Sequence, residues 1–452
     1  MNRFDSYRVR AFRLSGVRLE LAVAFSIKIA GAAVAFLLNW FIARHYGAAG
    51  AGLVAAAVTT TVMVASFAVL GLDNVLVRAV AIHQRQGSLD RSKAAVKRVF
   101  VLVGSLALIL ALGVLLARNL LSTIVADSHE AGPYFALAAI AVPALAIARI
   151  ASAALRGLGR VPLSQFIIGP VGASAAIIAL ALTVFAGGAR TAVWATAYQS
   201  MGWVLAAGIG GYALVRMLKP VGRSPVPEPM LKSGLLLFAA GMSTYFLEWL
   251  AVFTVSAHYG PAGAGIFRIS FQIAGLFTLI NLAFQSIMGP HFAADLHERN
   301  FGRVATLARK SSLAMGASGF PLLFLVMIWP ELVLSFFGAE FLVGASTLRI
   351  LAAGQFLNLL LGPVGLIIIM ARHEKLNLAY NLGSNVLAAV LCVLLTPVWG
   401  AEGAAIALAA TALVRRIAAA IIVRRVIGVR LIGRSARQDA SETAASEGSA
   451  AC

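Results

Sequence analysis

The chain has 452 residues, of which 60% are apolar and only 12% charged, and its formal net charge is +20. Soluble globular chains average about 45–50% apolar and about 25% charged residues, so a water-soluble fold would lack polar surface here. Nucleic-acid binding is a poor account of the charge, because the basic residues sit in short segments between apolar runs, the pattern that orients a membrane protein.

The N-terminus is a basic leader, MNRFDSYRVRAFRLSGVR, residues 1–18. The apolar stretch behind it runs about 25 residues, longer than the ~7–15 residue core of a cleaved signal, and is expected to be a retained first span. A membrane helix needs ~20 mostly apolar residues. Twelve stretches qualify: 19–43, 52–77, 99–121, 134–156, 164–186, 192–215, 233–257, 264–289, 312–337, 345–371, 376–397 and 401–423. Pro143, Pro170, Pro321 and Pro363 fall inside them, where membrane helices accommodate proline as a kink. From Arg434 the tail is rich in Ser, Ala and Glu without apolar period and is expected to be disordered. Cys392 lies within an apolar run and Cys452 ends the chain, which leaves no disulfide framework and no metal spacing.

Orientation follows from the 37 Lys and Arg residues. With the N-terminus in the cytoplasm, the outer loops hold only Arg44, Arg118 and Arg190. Lys28, Arg268 and Arg349 are assigned to span interiors, and all the others to inner segments. This obeys the positive-inside rule, and one span more or fewer would reverse every later loop and erase the bias. Both termini are therefore expected in the cytoplasm.

The sequence also repeats. HYGAAGAG at His45–Gly52 returns as HYGPAGAG at His258–Gly265, 213 positions later. Shifting the first six spans by the same 213 places their starts within four residues of the last six, and Thr183 and Gly187 fall on Thr396 and Gly400. Six spans is an even number, so both halves insert the same way up, related by an axis along the membrane normal. The expected fold is all-α and polytopic, with twelve transmembrane helices in two six-helix lobes. The divisions are leader 1–18, N-terminal lobe 19–217, cytoplasmic linker 218–232, C-terminal lobe 233–425 and cytoplasmic tail 426–452.

Charges inside spans are the candidate functional groups, since each costs at least ~2.5–3.5 kcal/mol at mid-bilayer and tends to face a cavity or a partner. Lys28 lies nine residues into the first span, about 14 Å deep at ~1.5 Å per residue, and either faces a cavity or snorkels. Arg268 is near the outer end of the eighth span, where snorkelling is easy. Glu248, on the seventh span, is too short to reach water, so it is protonated, paired with Arg268, or cavity-facing with a coupling H+ or Na+. Arg349 sits a turn inside the tenth span and reads as snorkelling. Arg78, Arg156 and Arg160, at cytoplasmic helix ends, read first as headgroup contacts and second as a gate. No nucleophile elbow, phosphate-binding loop or paired catalytic carboxylates occur, so no enzyme activity is expected and no cofactor is implied.

Several motifs in order resemble a known family. A YGxxGxG turn at Tyr46, Gly47 and Gly50 is followed by Gly71, Leu72 and Arg78 in GLDNVLVR; then come FLEWLAVFTVSAHYGPAGAGIF, Pro290, FFGAEF with Gly338 and Phe341, and Asn385 with Pro397, Gly400, Gly403 and Ala404. The pattern, over residues of about 15–425, is similar to that of oligosaccharide flippases of the polysaccharide-transporter family, in the multidrug/oligosaccharidyl-lipid/polysaccharide exporter superfamily. The resemblance implies two lobes around a central cavity, with Lys28 and Arg268 turned into it to hold the diphosphate of a lipid carrier. It implies a flippase moving undecaprenyl-diphosphate-linked oligosaccharide from the cytoplasmic to the outer leaflet of a bacterial inner membrane by alternating access. The expected partners are that glycan lipid, membrane lipids, and the polymerase and glycosyltransferases of lipopolysaccharide, capsule or exopolysaccharide synthesis. A cation-coupled multidrug exporter of the same superfamily is the alternative, set back by basic outnumbering acidic intramembrane residues. A polysaccharide polymerase or ligase is a more distant one, set back by the short outer loops.

Overall fold

A computed structural model describes residues 3–126, 130–188, 190–217, 231–298, 300–371 and 373–428. Among these residues the chain is helical with no strand, as its continuous apolar runs require in lipid, where every backbone amide needs an internal partner. Two compact units divide it, the first Met1–Arg268 with Phe336–Glu340, the second Ile269–Ser335 with Phe341–Cys452. The expected linker lies outside the described residues over 218–230, as does the tail over 429–452.

The first unit holds α1 (Arg3–Val69), α2 (Leu72–Arg85), α3 (Leu89–Leu116), α4 (Arg118–Ala126), α5 (Gly132–Gly157) and α6 (Val161–Phe166). A π turn, Ile167–Val171, carries α6 into α7 (Gly172–Phe185) at Pro170, which cannot supply a backbone N–H. Then come α8 (Val193–Met217) and the first part of α9 (Leu231–Ala274). The Ala-rich α5 is the most enclosed, with Phe135, Val142, Ile150 and Leu155 fully buried.

The repeated octapeptide explains two breaks. Gly47 (φ 68°, ψ −173°) interrupts α1 and Gly260 (φ 70°, ψ 179°) interrupts α9, a matched backbone shape that glycine adopts without steric cost. The two copies also pack on each other. A Cβ on Gly52 would lie 1.7 Å from the Pro261 carbonyl oxygen, and one on Gly265 would lie 2.0 Å from that of Ala48. The first contact maps onto the second under the 213-residue shift, so the contact is reciprocal, as a two-fold relation between the copies demands. Glu340 closes the first copy, its Oε2 accepting from the Ala48 N–H at 2.7 Å, while Trp40 Nε1 donates to the Phe336 carbonyl at 2.7 Å.

The second unit holds the rest of α9, α10 (Leu276–His297), α11 (Phe301–Ile328), α12 (Pro330–Ser335), α13 (Ala345–Leu360), α14 (Val364–Met370) and α15 (Glu374–Ile422). Phe292, Val304, Ile367, Ile368 and Val423 form one of its buried clusters. In α15, Gly400 (φ 59°) makes a third break, and its repeat mate Gly187 also has positive φ, 76°.

Among the described residues, eight helical segments are long and apolar enough to cross a membrane. Three of them, Val23–Val69, Tyr245–Gly289 and Lys375–Ile427, run 45 to 53 residues, each covering two expected spans and broken at Gly47, Gly260 or Gly400. The expected sixth span is α8, which carries Tyr198, Gln199, Ser200 and Tyr212 and is less apolar. Several expected spans are interrupted, two of them at residues with positive φ. Residues 52–77 break at Leu70 (φ 49°) and Gly71 (φ 68°), and 345–371 break at Gly362 (φ 78°) and Pro363.

Candidate functional site

The first unit encloses a charged cluster around Arg149. This residue sits on α5, eight positions before its end at Gly157. The break at Leu70–Gly71 ends α1 and restarts the chain as α2, which brings Asp73 beside α5. Arg149 Nη2 meets Asp73 Oδ2 at 3.1 Å, and Arg149 Nη1 donates to Ser66 Oγ at 2.7 Å. The guanidinium lies over the Tyr245 ring, 5.5 Å from its centroid, a cation–π contact. The second carboxylate oxygen, Asp73 Oδ1, accepts from the Asn74 N–H at 2.9 Å. Only 19% of the Arg149 side chain and 12% of the Asp73 side chain are exposed, so removing either partner would strand a charge in an apolar setting.

This cluster corrects the charge count made on the sequence, which assigned Arg149 to an inner segment. The helix keeps it inside an apolar run, and that run, AIARIASA, was the signal that could have shown it. Arg415 and Arg416 were likewise assigned to the C-terminal segment, yet both lie within α15. In the second unit Arg416 Nε donates to Asn358 Oδ1, and its Nη1 donates at 3.1 Å to the carbonyl of Gly362, where α13 ends.

Of the residues singled out in the sequence, the structure brings Arg268 and Glu248 together: Arg268 Nη1 pairs with Glu248 Oε1 across the Gly260 break, with 21% and 27% of the side chains exposed. Pairing was one of the three options open for Glu248, and the two side chains do pair. Lys28 is exposed on α1 and has no ion pair or hydrogen bond among the described residues. Arg78 is exposed on α2, and Arg160 is exposed at the start of α6. Arg156, in the last turn of α5, is half-buried, with its Nε enclosed and without a hydrogen-bond partner. Next to it, Gly157 packs tightly on α2, where an added Cβ would lie 2.7 Å from Val80 Cβ. Arg349 donates from Nε to the Met327 carbonyl at 3.1 Å and lies 3.6 Å from Glu331 with both side chains well exposed, which fits a helix-end role.

These features define a multi-pass α-helical membrane protein whose apolar helices carry isolated cations and two enclosed ion pairs. The chain belongs to the polysaccharide biosynthesis protein family, which matches it over residues 20–294. Among solved structures it is similar to an inward-facing MATE-family multidrug resistance transporter of the MOP superfamily, at TM-score 0.71 and 16% identity, covering 90% of this chain and 98% of that one. It is similar at the same TM-score, 0.71, to the lipid II flippase MurJ in an inward closed conformation, at 12% identity with 88% and 87% covered. The MATE multidrug transporter DinF-BH follows at TM-score 0.62 and 15% identity, with 93% and 96% covered. Comparison with curated protein sequences gives no match.

Proposed function

We propose that the protein is a flippase for undecaprenyl-diphosphate-linked oligosaccharide, moving the sugar headgroup from the cytoplasmic to the outer leaflet of a bacterial inner membrane during surface polysaccharide synthesis. The observation that carries this reading is the family match over residues 20–294, on a fold shared with a lipid II flippase. The mechanism is alternating access by two six-helix lobes of a twelve-span bundle, with both termini cytoplasmic. The reciprocal contact of the two HYG turns supports the two-fold relation this requires. Lys28 and Arg268 bind the diphosphate, lowering the cost of passing its charge through low dielectric. Glu248 holds Arg268 until substrate arrives and is the candidate carrier of a coupling H+ or Na+; Arg78, Arg156 and Arg160 are the candidate cytoplasmic gate. The glycan lipid, bulk lipid and the pathway's polymerase and glycosyltransferases are the partners, and the protein itself is no enzyme.

The MATE transporters share the fold equally, so a cation-coupled drug exporter is the competing reading. The pairing of Glu248 with Arg268 disfavours it, because a carboxylate already neutralised is a weak site for a cationic drug. The test is reconstitution of the full chain in liposomes with a fluorescent undecaprenyl-diphosphate oligosaccharide in one leaflet and, separately, ethidium. The expected result is passage of the glycan lipid and not of ethidium, with translocation reduced in Lys28→Ala and in Arg268→Ala although both insert normally. Full activity in both variants would refute the diphosphate assignment, and ethidium transport without glycan-lipid transport would refute the flippase itself.

A further inference from the structure

The Arg149 cluster plays no part in the function just proposed. It lies on a helix that carries a second arginine, Arg156, seven residues further on. Seven residues is nearly two full turns, so both side chains leave the same face of α5, about 10 Å apart along the axis at ~1.5 Å per residue. Long guanidinium side chains converge readily over such a distance, and each offers a planar fork of donors suited to phosphate oxygens.

The two arginines are in different states. Arg149 is occupied by Asp73, Ser66 and the face of Tyr245. Arg156 keeps an enclosed Nε donor with no acceptor. Beside the Arg149–Asp73 pair, Arg156 therefore adds a cation with no ion-pair partner among the described residues. Such an arrangement is expensive in an apolar setting unless a further anion completes it. The carboxylate is also delivered by a strained element. Leu70, which has a Cβ, is held at φ 49°, a left-handed conformation that residues other than glycine rarely adopt.

We infer that Arg149 and Arg156 form a binding site for a lipid-linked diphosphate, and that Asp73 is the resident anion holding Arg149 until the ligand displaces it. This rests on the flippase reading and adds to it a subsite on α5, separate from Lys28 and Arg268. The incoming phosphate oxygens take the Arg149 donors now given to Asp73 and supply the acceptor that Arg156 Nε lacks. The dianionic ligand outcompetes a single carboxylate because it engages both forks at once.

The experiment measures binding of radiolabelled farnesyl diphosphate, with farnesyl monophosphate for comparison, to the full chain in phosphatidylcholine nanodiscs. Wild type should prefer the diphosphate. Arg149→Gln and Arg156→Gln should each weaken it about tenfold or more, because each removes charge-assisted donors to the phosphate oxygens. Asp73→Asn is the decisive variant: it should tighten binding, because the competing anion is gone. If Asp73→Asn instead weakens binding and lowers the melting temperature in step with Arg149→Gln, the pair is a structural strut and the inference fails. If the α5 variants bind like wild type while Lys28→Ala does not, this subsite is wrong and the flippase reading stands. If wild type binds no diphosphate, both fall.

Discussion

Gly52→Ala should be among the most damaging single-atom additions in the chain. The added Cβ would lie 1.7 Å from the carbonyl oxygen of Pro261. Even a close C–H···O contact keeps carbon and oxygen ~3.3 Å apart, so the two HYG turns would have to separate by about 1.6 Å. Gly265→Ala meets the Ala48 oxygen at 2.0 Å and demands about 1.3 Å of separation on the same basis. Both obstacles are backbone carbonyls of helical residues, so no side-chain rotation relieves them. Overpacking costs ~1–3 kcal/mol, and a displacement this large belongs at the upper end, about 3 kcal/mol for Gly52→Ala.

The assay is the apparent melting temperature of the purified full chain in detergent, compared at one scan rate because unfolding of large proteins is often irreversible. The control is Gly104→Ala in α3, whose Cβ would meet nothing within 4 Å. There the substitution should be neutral or stabilising, alanine being better than glycine in a helix interior by ~0.5–1 kcal/mol. The double variant Gly52→Ala/Gly265→Ala should lose less than the sum of the singles, because one separation of the turns makes room for both methyl groups. A Gly52→Ala protein that melts with the wild type, or a strictly additive double variant, would refute the reciprocal packing.

Two further outcomes follow from the polar contacts of the first unit. Glu248→Gln leaves Arg268 without a carboxylate; the pair is partly exposed, so the loss should fall between the ~0–1 kcal/mol of a surface pair and the ~3–5 kcal/mol of breaking a buried one. Melting of the double variant Glu248→Gln/Arg268→Gln should recover part of that loss, and a double variant worse than the sum would show that the pair is not what Glu248 stabilises. Glu340→Ala removes the acceptor of the Ala48 N–H, a loss of ~0.5–2 kcal/mol if it behaves as a helix cap. Hydrogen exchange at Ala48 should then rise, more than in Glu340→Gln, which keeps an amide oxygen in reach; unchanged exchange would count against the contact.

How much of this was legible depended on how local the physics was. The HYG breaks could be read because only glycine takes such a backbone shape freely, and two copies in register announce two equal turns. The Arg268–Glu248 pair was within reach as an option, since the residues lie on successive helices joined by one of those turns. The Arg149–Asp73 pair was not. Its members are 76 residues apart, and they meet because Leu70 adopts a left-handed conformation that no propensity predicts for leucine. The positive-inside rule worked against finding it, for a count that looks better with every inner cation drew Arg149 and Arg416 out of their helices. The breaks at Leu70–Gly71 and Gly362–Pro363 were hidden for a related reason: hydropathy stays high through them, while the hydrogen-bonded helix does not.

One fold serves both multidrug transporters and a lipid II flippase, so the fold does not choose between the two proposed readings, and charge is what distinguishes them. In the first unit Asp73 is bound to Arg149 and Glu248 to Arg268. Lys28 and Arg156 are then left without a carboxylate within ion-pair distance among the described residues, and in the second unit so are Arg415 and Arg416. A cationic drug that bound Asp73 or Glu248 would have to break an existing pair, and would release an arginine by doing so. An anionic headgroup meets the opposite situation, because unpaired cations gain a partner and each carboxylate it displaces can be rebound when it leaves. On the proposed flippase reading the same two ion pairs favour an anionic cargo, and replacing the carboxylates should favour binding of an anion where replacing the arginines weakens it.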